Sequence, residues 1–315
     1  MENPNVSAVV SASQAAPTGQ AADATAAVET PSGKIAADEN FPVGSFLLPS
    51  HLRPVIASFY GFARAADDIA DNPALSPSDK IKRLDVMDES LLATDLSTRG
   101  GHLAALLAAQ GQDARHARTL LNAFRQDAEK NRYETLDEVH GYCRMSADPV
   151  GRFLVDLHEG GSDAGQKVYP YSDGLCTALQ LVNHLQDCGK DFMTMDRAYL
   201  PETWLAAAGA DISQLRGSAV TPGLRTVLDR VLDDVDAQLA RAAHLPRALT
   251  SRRLAMESEI IIRLARRLAA RLRVGDPLAT RVKLTKPDFF VAGLMGAVAG
   301  FFKGGRGRLP EGADT

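Results

Sequence analysis

The sequence predicts an all-α protein: one helical domain wrapped around a central apolar cavity. Three observations predict it. From Glu39 almost to the C-terminus, large apolar residues recur at the spacing of a helix face. No run of strand-like alternation interrupts them. Pro, Ser, Thr and Asn stand where helices start and stop. The chain has 315 residues, which is large for one domain but within reach of a single helical core.

The elements follow in order. Residues 1–36 are mostly Ala, Ser, Thr, Val, Pro and Gly with few large apolar side chains, and they are expected to form a disordered tail. The helical domain is expected over 37–303, with a second tail over 304–315. Pro54 suits the first turn of a helix running to about Asp71, where Asn72-Pro73 stops it. Ser78 is expected to cap the next helix, to about Ala93. A third spans roughly 113–130. Thr135 with Glu138 forms a capping box that opens a fourth, interrupted near Asp148-Pro149 and resuming to about His158. Ser172 is expected to cap a long helix to about Phe192. Further helices are expected near 202–209, 222–243, 250–273 and 287–302.

Composition narrows the function. Hydrophobic residues make up 45% and charged residues 23%, as in ordinary globular proteins. A net charge of -4 implies no general attraction to nucleic acid or to anionic lipid. Cys143, Cys176 and Cys188 show no pairing framework, so a reducing cytoplasm is expected. The N-terminus has no basic region followed by an apolar core, so no secretory signal is expected. No apolar run is long enough to span a bilayer. Residues 289–302, FFVAGLMGAVAGFF, carry no charge. Two readings stand for them: a helix buried in the core, or a surface in peripheral contact with membrane, which would suit an oily substrate.

The informative positions lie on two helices. On Phe59–Asn72, with Tyr60 at zero, Arg64 falls at about +40°, Asp67 at about -20° and Asp71 at about +20°. Ile56, Phe59, Phe62, Ala63, Ala66, Ile69 and Ala70 occupy most of the remaining circumference, with Asp68 further round. Leu179–Phe192 repeats the design: with Gln180 at zero, Asn183 falls at about -60°, Asp187 at about -20° and Asp191 at about +20°. A thin line of carboxylates on an apolar helix needs partners. Like charges at this spacing also repel within the bare helix. If the two helices face each other, four carboxylates line one cavity, an oxygen-rich setting suited to Mg²⁺ that completes its shell with waters and substrate phosphates.

These residues resemble the squalene and phytoene synthase family. Its first signature, Tyr-x-x-x-Arg-x-x-Asp-x-x-x-Asp, stands here as Tyr60, Arg64, Asp67 and Asp71. Its second, Gln-x-x-Asn-x-x-x-Asp-x-x-x-Asp, stands as Gln180, Asn183, Asp187 and Asp191. The resemblance covers roughly Glu39 to the end of the 250–273 helix. Four segments are similar to one branch, the bacterial hydroxysqualene synthases of hopanoid biosynthesis: ENFPVGSFLLP from Glu39, FARAADDIAD from Phe62, YCRMSADPVG from Tyr142 and NHLQDCGKDF from Asn183. Tyr199-Leu200-Pro201 matches the family's Tyr-Leu-Pro segment. Gln186 departs from the family, many of whose members have Arg just before the second acidic motif; one fixed positive charge is thereby lost.

The resemblance implies an isoprenoid-synthase-type helical bundle and a substrate of presqualene diphosphate or farnesyl diphosphate. In the branch, presqualene diphosphate is ionised, the cation rearranges, and water gives hydroxysqualene. The family as a whole also joins two farnesyl diphosphates head to head. Asp67, Asp71, Asp187 and Asp191 are the implied Mg²⁺ ligands. Arg64, Lys190 and Arg197 would bond the phosphates, and Tyr60, Tyr142, Gln180 and Asn183 are the candidate polar contacts in the cavity. Tyr142 could equally be a packed core tyrosine. Ser45 matches a position near the diphosphate or caps a helix. His184 reads as structural and Arg152 as a surface arginine. A non-enzymatic role, binding a partner enzyme of a hopanoid assembly, is the alternative from another class.

Overall fold

The computed structural model describes residues 49–93, 95–161 and 165–309. The expected tail over 1–36, Ser45 and residues 310–315 lie outside them. Twelve α-helices are found among the described residues, and the one strand-like feature there is an isolated bridge between Tyr133 and Pro201.

Helix α1 is Arg53–Ala70 and has Pro54 in its first turn, as the sequence predicts. Helix α2 is Pro77–Leu92. Its cap is Ser76 rather than Ser78, because Pro77 takes the first helical position and the Ser76 hydroxyl accepts from the Asp79 N–H at 3.2 Å. Helix α3, Arg99–Ala108, was not expected from the sequence. It opens on Gly100-Gly101, which hides a helix from propensity, yet the missing side chains let it press against Ser90 and Asp95. Helix α4 is Arg115–Asp127 and α5 is Leu136–Ser146. Thr135 caps α5, but Glu138 reaches back to the Glu134 N–H at 2.8 Å, one residue beyond the usual capping-box partner. Helix α6, Asp148–Glu159, follows after the break at Ala147 and stops on Gly160, which adopts a left-handed φ of 85°.

Helix α7, Tyr169–Met195, begins a turn earlier than expected, so Ser172 is buried inside it rather than capping it. Then come α8, Glu202–Ala207; α9, Pro222–Ala242; the short α10, Leu245–Ala248; α11, Arg252–Val274; and α12, Lys286–Lys303. Residues 304–309, which the sequence reading placed in a tail, run beside α10: the Gly305 N–H donates to Leu249 O and the Arg308 N–H to Arg247 O.

Two apolar cores hold these helices. The first gathers Phe59, Phe62 and Ile69 of α1 with Leu84, Leu103 and Leu121, and Phe153 of α6 stacks on Phe59 at 3.9 Å. The second gathers Leu181, Val182 and Leu185 of α7 with Val231 and Val235 of α9 and Leu268 of α11. Leu154 of α6 packs against both, so the cores are continuous. Arg152 is not a free surface residue: it forks onto Asp173 at 2.8 and 2.6 Å and ties α6 to α7.

The core reading of residues 289–302 is overturned. Helix α12 buries its small residues Ala292, Gly296 and Gly300 against α11 and turns its large ones outward. Among the described residues no helix is long and apolar enough to cross a membrane.

Candidate active site

Helix α1 presents Tyr60, Arg64, Asp67 and Asp71 half-buried, in one line between buried apolar flanks. Arg64 lies 3.9 Å from Asp67 and 3.6 Å from the buried Asp68. Helix α7 presents Gln180, Asn183, Asp187 and Asp191, also half-buried, beside the buried Leu181, Val182 and Leu185. The two lines meet electrostatically. Burial, then Asp187 and then Asp71 push the Asp191 carboxyl up to about 7, against the opposing charges of Lys190 and Arg197. A carboxylate on α1 is thus felt by one on α7. Lys190 is exposed, acting on Asp191 through its charge.

Arg197 joins the two helices. Asp196 ends α7 in the left-handed conformation at a φ of 52°, and the turn brings the Arg197 N–H onto Asp191 O at 3.3 Å. Its guanidinium is buried. One nitrogen donates to Asp71 at 3.2 Å, and another to the Asp127 backbone oxygen at 3.0 Å. Burial by itself would lower the Arg197 pKa, but Asp127, Tyr199 and Asp71 raise it on balance, so the group is held charged.

Behind Arg197 lies a buried polar knot. Tyr142 donates to Asp127 at 2.7 Å, Tyr199 donates to the other carboxylate oxygen at 3.1 Å, and the two hydroxyls are 3.3 Å apart. Burial lifts Asp127 to about 6, opposed by Arg197 and both tyrosines. His184 stacks on Tyr199 at 3.6 Å, and burial followed by the Arg197 charge lowers it to about 3, so it stays neutral. Tyr142 is therefore tied to a carboxylate one residue removed from the acidic lines, through Arg197.

Three residues were missed from sequence. Asp127 ends α4 on its buried face, in line with Leu120 and Ala123; a charge among those apolar positions was the available signal. Lys80 of α2 donates to Ala70 O at 2.6 Å, and burial and then Arg197 lower its pKa. Its pattern in sequence is that of any surface lysine. Arg281, between α11 and α12, clasps Asp187 at 3.1 and 3.2 Å. Beside it, Gln186 donates to Val282 O at 2.5 Å. Gln186 thus anchors the loop whose neighbouring residue, Arg281, brings a guanidinium onto Asp187.

Among the described residues, no three His, Cys, Asp or Glu side chains gather closely enough to hold a metal ion unaided. The oxygens of Asp67, Asp71, Asp187 and Asp191 are of the donor type that a hard divalent cation takes, one or two carboxylates at a time.

Comparison with known proteins gives a consistent answer. Residues 36–288 match the squalene/phytoene synthase family. The chain is 42% identical to a hydroxysqualene synthase of Rhodopseudomonas palustris over 87% of its own length and 93% of that protein's. It is 41% identical to one of Zymomonas mobilis, over 82% and 86%. The solved squalene synthase HpnC of Alicyclobacillus acidocaldarius superposes with a TM-score of 0.66 at 29% identity, covering 80% of this chain and 93% of that one. With the helical bundle, the paired acidic lines and these relatives in agreement, the chain belongs to the squalene/phytoene synthase family.

Proposed function

We propose that the protein is a hydroxysqualene synthase. It ionises presqualene diphosphate, lets the cation rearrange, and adds water to give hydroxysqualene, diphosphate and a proton. The observation that carries this reading is Arg197, which donates to Asp71 at the end of α1 at 3.2 Å and whose N–H reaches Asp191 O of α7 at 3.3 Å, so that the two acidic lines share one cation. Relatives named for this reaction at about 40% identity support the choice within the family.

Asp67, Asp71, Asp187 and Asp191 would hold Mg²⁺, which supplies Lewis-acid assistance to the departing diphosphate. Arg64, Arg281 and Arg197 place three guanidinium groups around the same carboxylates, where they add charge-assisted bonds to phosphate oxygens. Tyr142 and Tyr199 hold Asp127, and Asp127 and Asp71 between them fix the Arg197 guanidinium beside the acidic lines. Tyr60, Gln180 and Asn183 stand on the same lines as the acids and are our candidates for positioning water. His184, neutral and stacked, is a poor proton donor at ordinary pH. The free cysteines fit a reducing cytoplasm.

The test is product identification. Purified protein with Mg²⁺ is given presqualene diphosphate or farnesyl diphosphate, and products are read by mass spectrometry. Hydroxysqualene from presqualene diphosphate, with farnesyl diphosphate left intact, is expected. Consumption of farnesyl diphosphate would identify a head-to-head synthase, and turnover of neither would leave a binding role in a hopanoid assembly.

A further inference from the structure

Helix α12 is built inside out. Its buried stripe is Ala292, Gly296 and Gly300, and a Cβ at Gly296 would come within 2.7 Å of the Ile260 side chain and 2.8 Å of its Cα. The glycines therefore let α12 lie close on α11. Its large residues face out: Phe290 is 73% exposed, Leu294 60%, Val298 53% and Phe302 68%, with Phe289, Val291, Met295 and Phe301 between them. A patch of this kind on a helix marks an interaction surface.

The charge around the patch says what covers it. Lys283 to Leu309 contains five basic residues, Lys283, Lys286, Lys303, Arg306 and Arg308, against a single acid, Asp288, in a chain whose net charge is -4; Lys303 is paired with the buried Glu259 at 2.7 Å, and the other four lie on exposed or half-buried positions around the patch. Asp288 is spent on Thr285, Arg267 and Arg271. At the C-terminal end of α12 a pocket of 270 Å³ is lined by His244, Arg247, Arg306, Arg308 and Leu309. Arg252 adds a guanidinium over the Phe301 ring at 5.1 Å. Two copies of this face packed on each other would oppose like charges at both ends. An anionic bilayer satisfies both features: apolar side chains enter the acyl boundary and arginines meet phosphate.

We propose that α12 is an in-plane membrane-docking helix that seats the protein on an anionic phospholipid bilayer, with the Arg247, Arg306 and Arg308 pocket receiving a lipid phosphate. At 18 residues, α12 is about 27 Å long, suited to lying in the interface rather than crossing it. The loop that leads into it carries Arg281 and Val282, which bond Asp187 and Gln186 of α7. A docked α12 thus holds the acidic lines one loop away from the lipid.

The test uses the full chain and sedimentation with vesicles. One set is phosphatidylglycerol mixed with phosphatidylcholine, the other phosphatidylcholine alone. Binding to the anionic vesicles is expected, weaker on the neutral ones. Phe290→Glu with Leu294→Glu should weaken it by on the order of a hundredfold, from the loss of two buried apolar side chains. Arg306→Gln with Arg308→Gln leaves the apolar face intact and should cost roughly tenfold on anionic vesicles, with little change on neutral ones. Both variants sit on exposed positions, and their thermal melting and their release of diphosphate from detergent-dispersed substrate should match the parent. Absence of vesicle binding overturns the proposal. So does binding indifferent to the glutamates, or a dimer in solution that the glutamates dissociate.

Discussion

Helices α7 and α12 are both rich in apolar residues and place them in opposite ways. In α7 the apolar residues face the core, and a single polar line, from Gln180 to Asp191, is left half-buried toward α1. In α12 the small residues face the core and the large ones face out. An ordinary surface helix buries its large apolar side chains and exposes charge. On the functions proposed above, each helix departs from that rule where something outside the chain would complete it: a charged ligand for α7, an apolar phase for α12. The departure, more than the apolar content, carries the functional information.

The comparison can be broken in four places. If the polar line of α7 exists for chemistry, Asp191→Asn should lower kcat/KM by about a thousandfold while unfolding stability without metal does not fall, since a clustered, partly buried carboxylate has been neutralised. Diphosphate release and urea unfolding read the two effects. If the small stripe of α12 is a packing device, Gly300→Leu should cost more than about 3 kcal/mol, because a side chain there runs into Met256 and Ala255 of α11. Gly293, two turns earlier on the same helix, has open space around it, and Gly293→Ala should stabilise by about 1 kcal/mol. Equal effects at the two glycines would mean that close approach does not set the position of α12.

Between those magnitudes falls Glu257 of α11. It is buried, its Oε2 has no hydrogen-bond partner among the described residues, and burial raises its pKa from 4.5 to about 7. The folded state therefore holds this proton more tightly than the unfolded one. Its contribution to stability is lost as pH rises from about 4.5 through about 7. Glu257→Gln should match the parent below that window and be more stable above it, by up to about 3 kcal/mol. Denaturant unfolding across the window checks this, and a difference that grows toward acid would contradict the sign.

Much of this was legible in sequence, and the exceptions have physical reasons. The period of the apolar residues and the cap at Thr135 marked most helices, and the two Asp-x-x-x-Asp lines marked the candidate site. Asp127 was hidden because its role needs Tyr142, Tyr199 and Arg197, which come from two other segments. Arg281 was hidden because loop position is not written in periodicity. Helix α3 was hidden because glycine weakens the local signal while improving the tertiary fit. The direction of α12 was ambiguous because an uncharged segment looks alike from either side; only its neighbour α11 decides which residues face in.

The account stands on the two acidic lines acting as one site. The most direct measurement is a cycle of Asp71→Asn, Asp191→Asn and the double variant, each assayed for Mg²⁺-dependent release of diphosphate from presqualene diphosphate. Residues that act as a unit are strongly non-additive. The account predicts that each single variant loses about as much rate as the double, on the order of a thousandfold. Losses that multiply, or a single variant that retains the parent's rate and Mg²⁺ dependence, would contradict it.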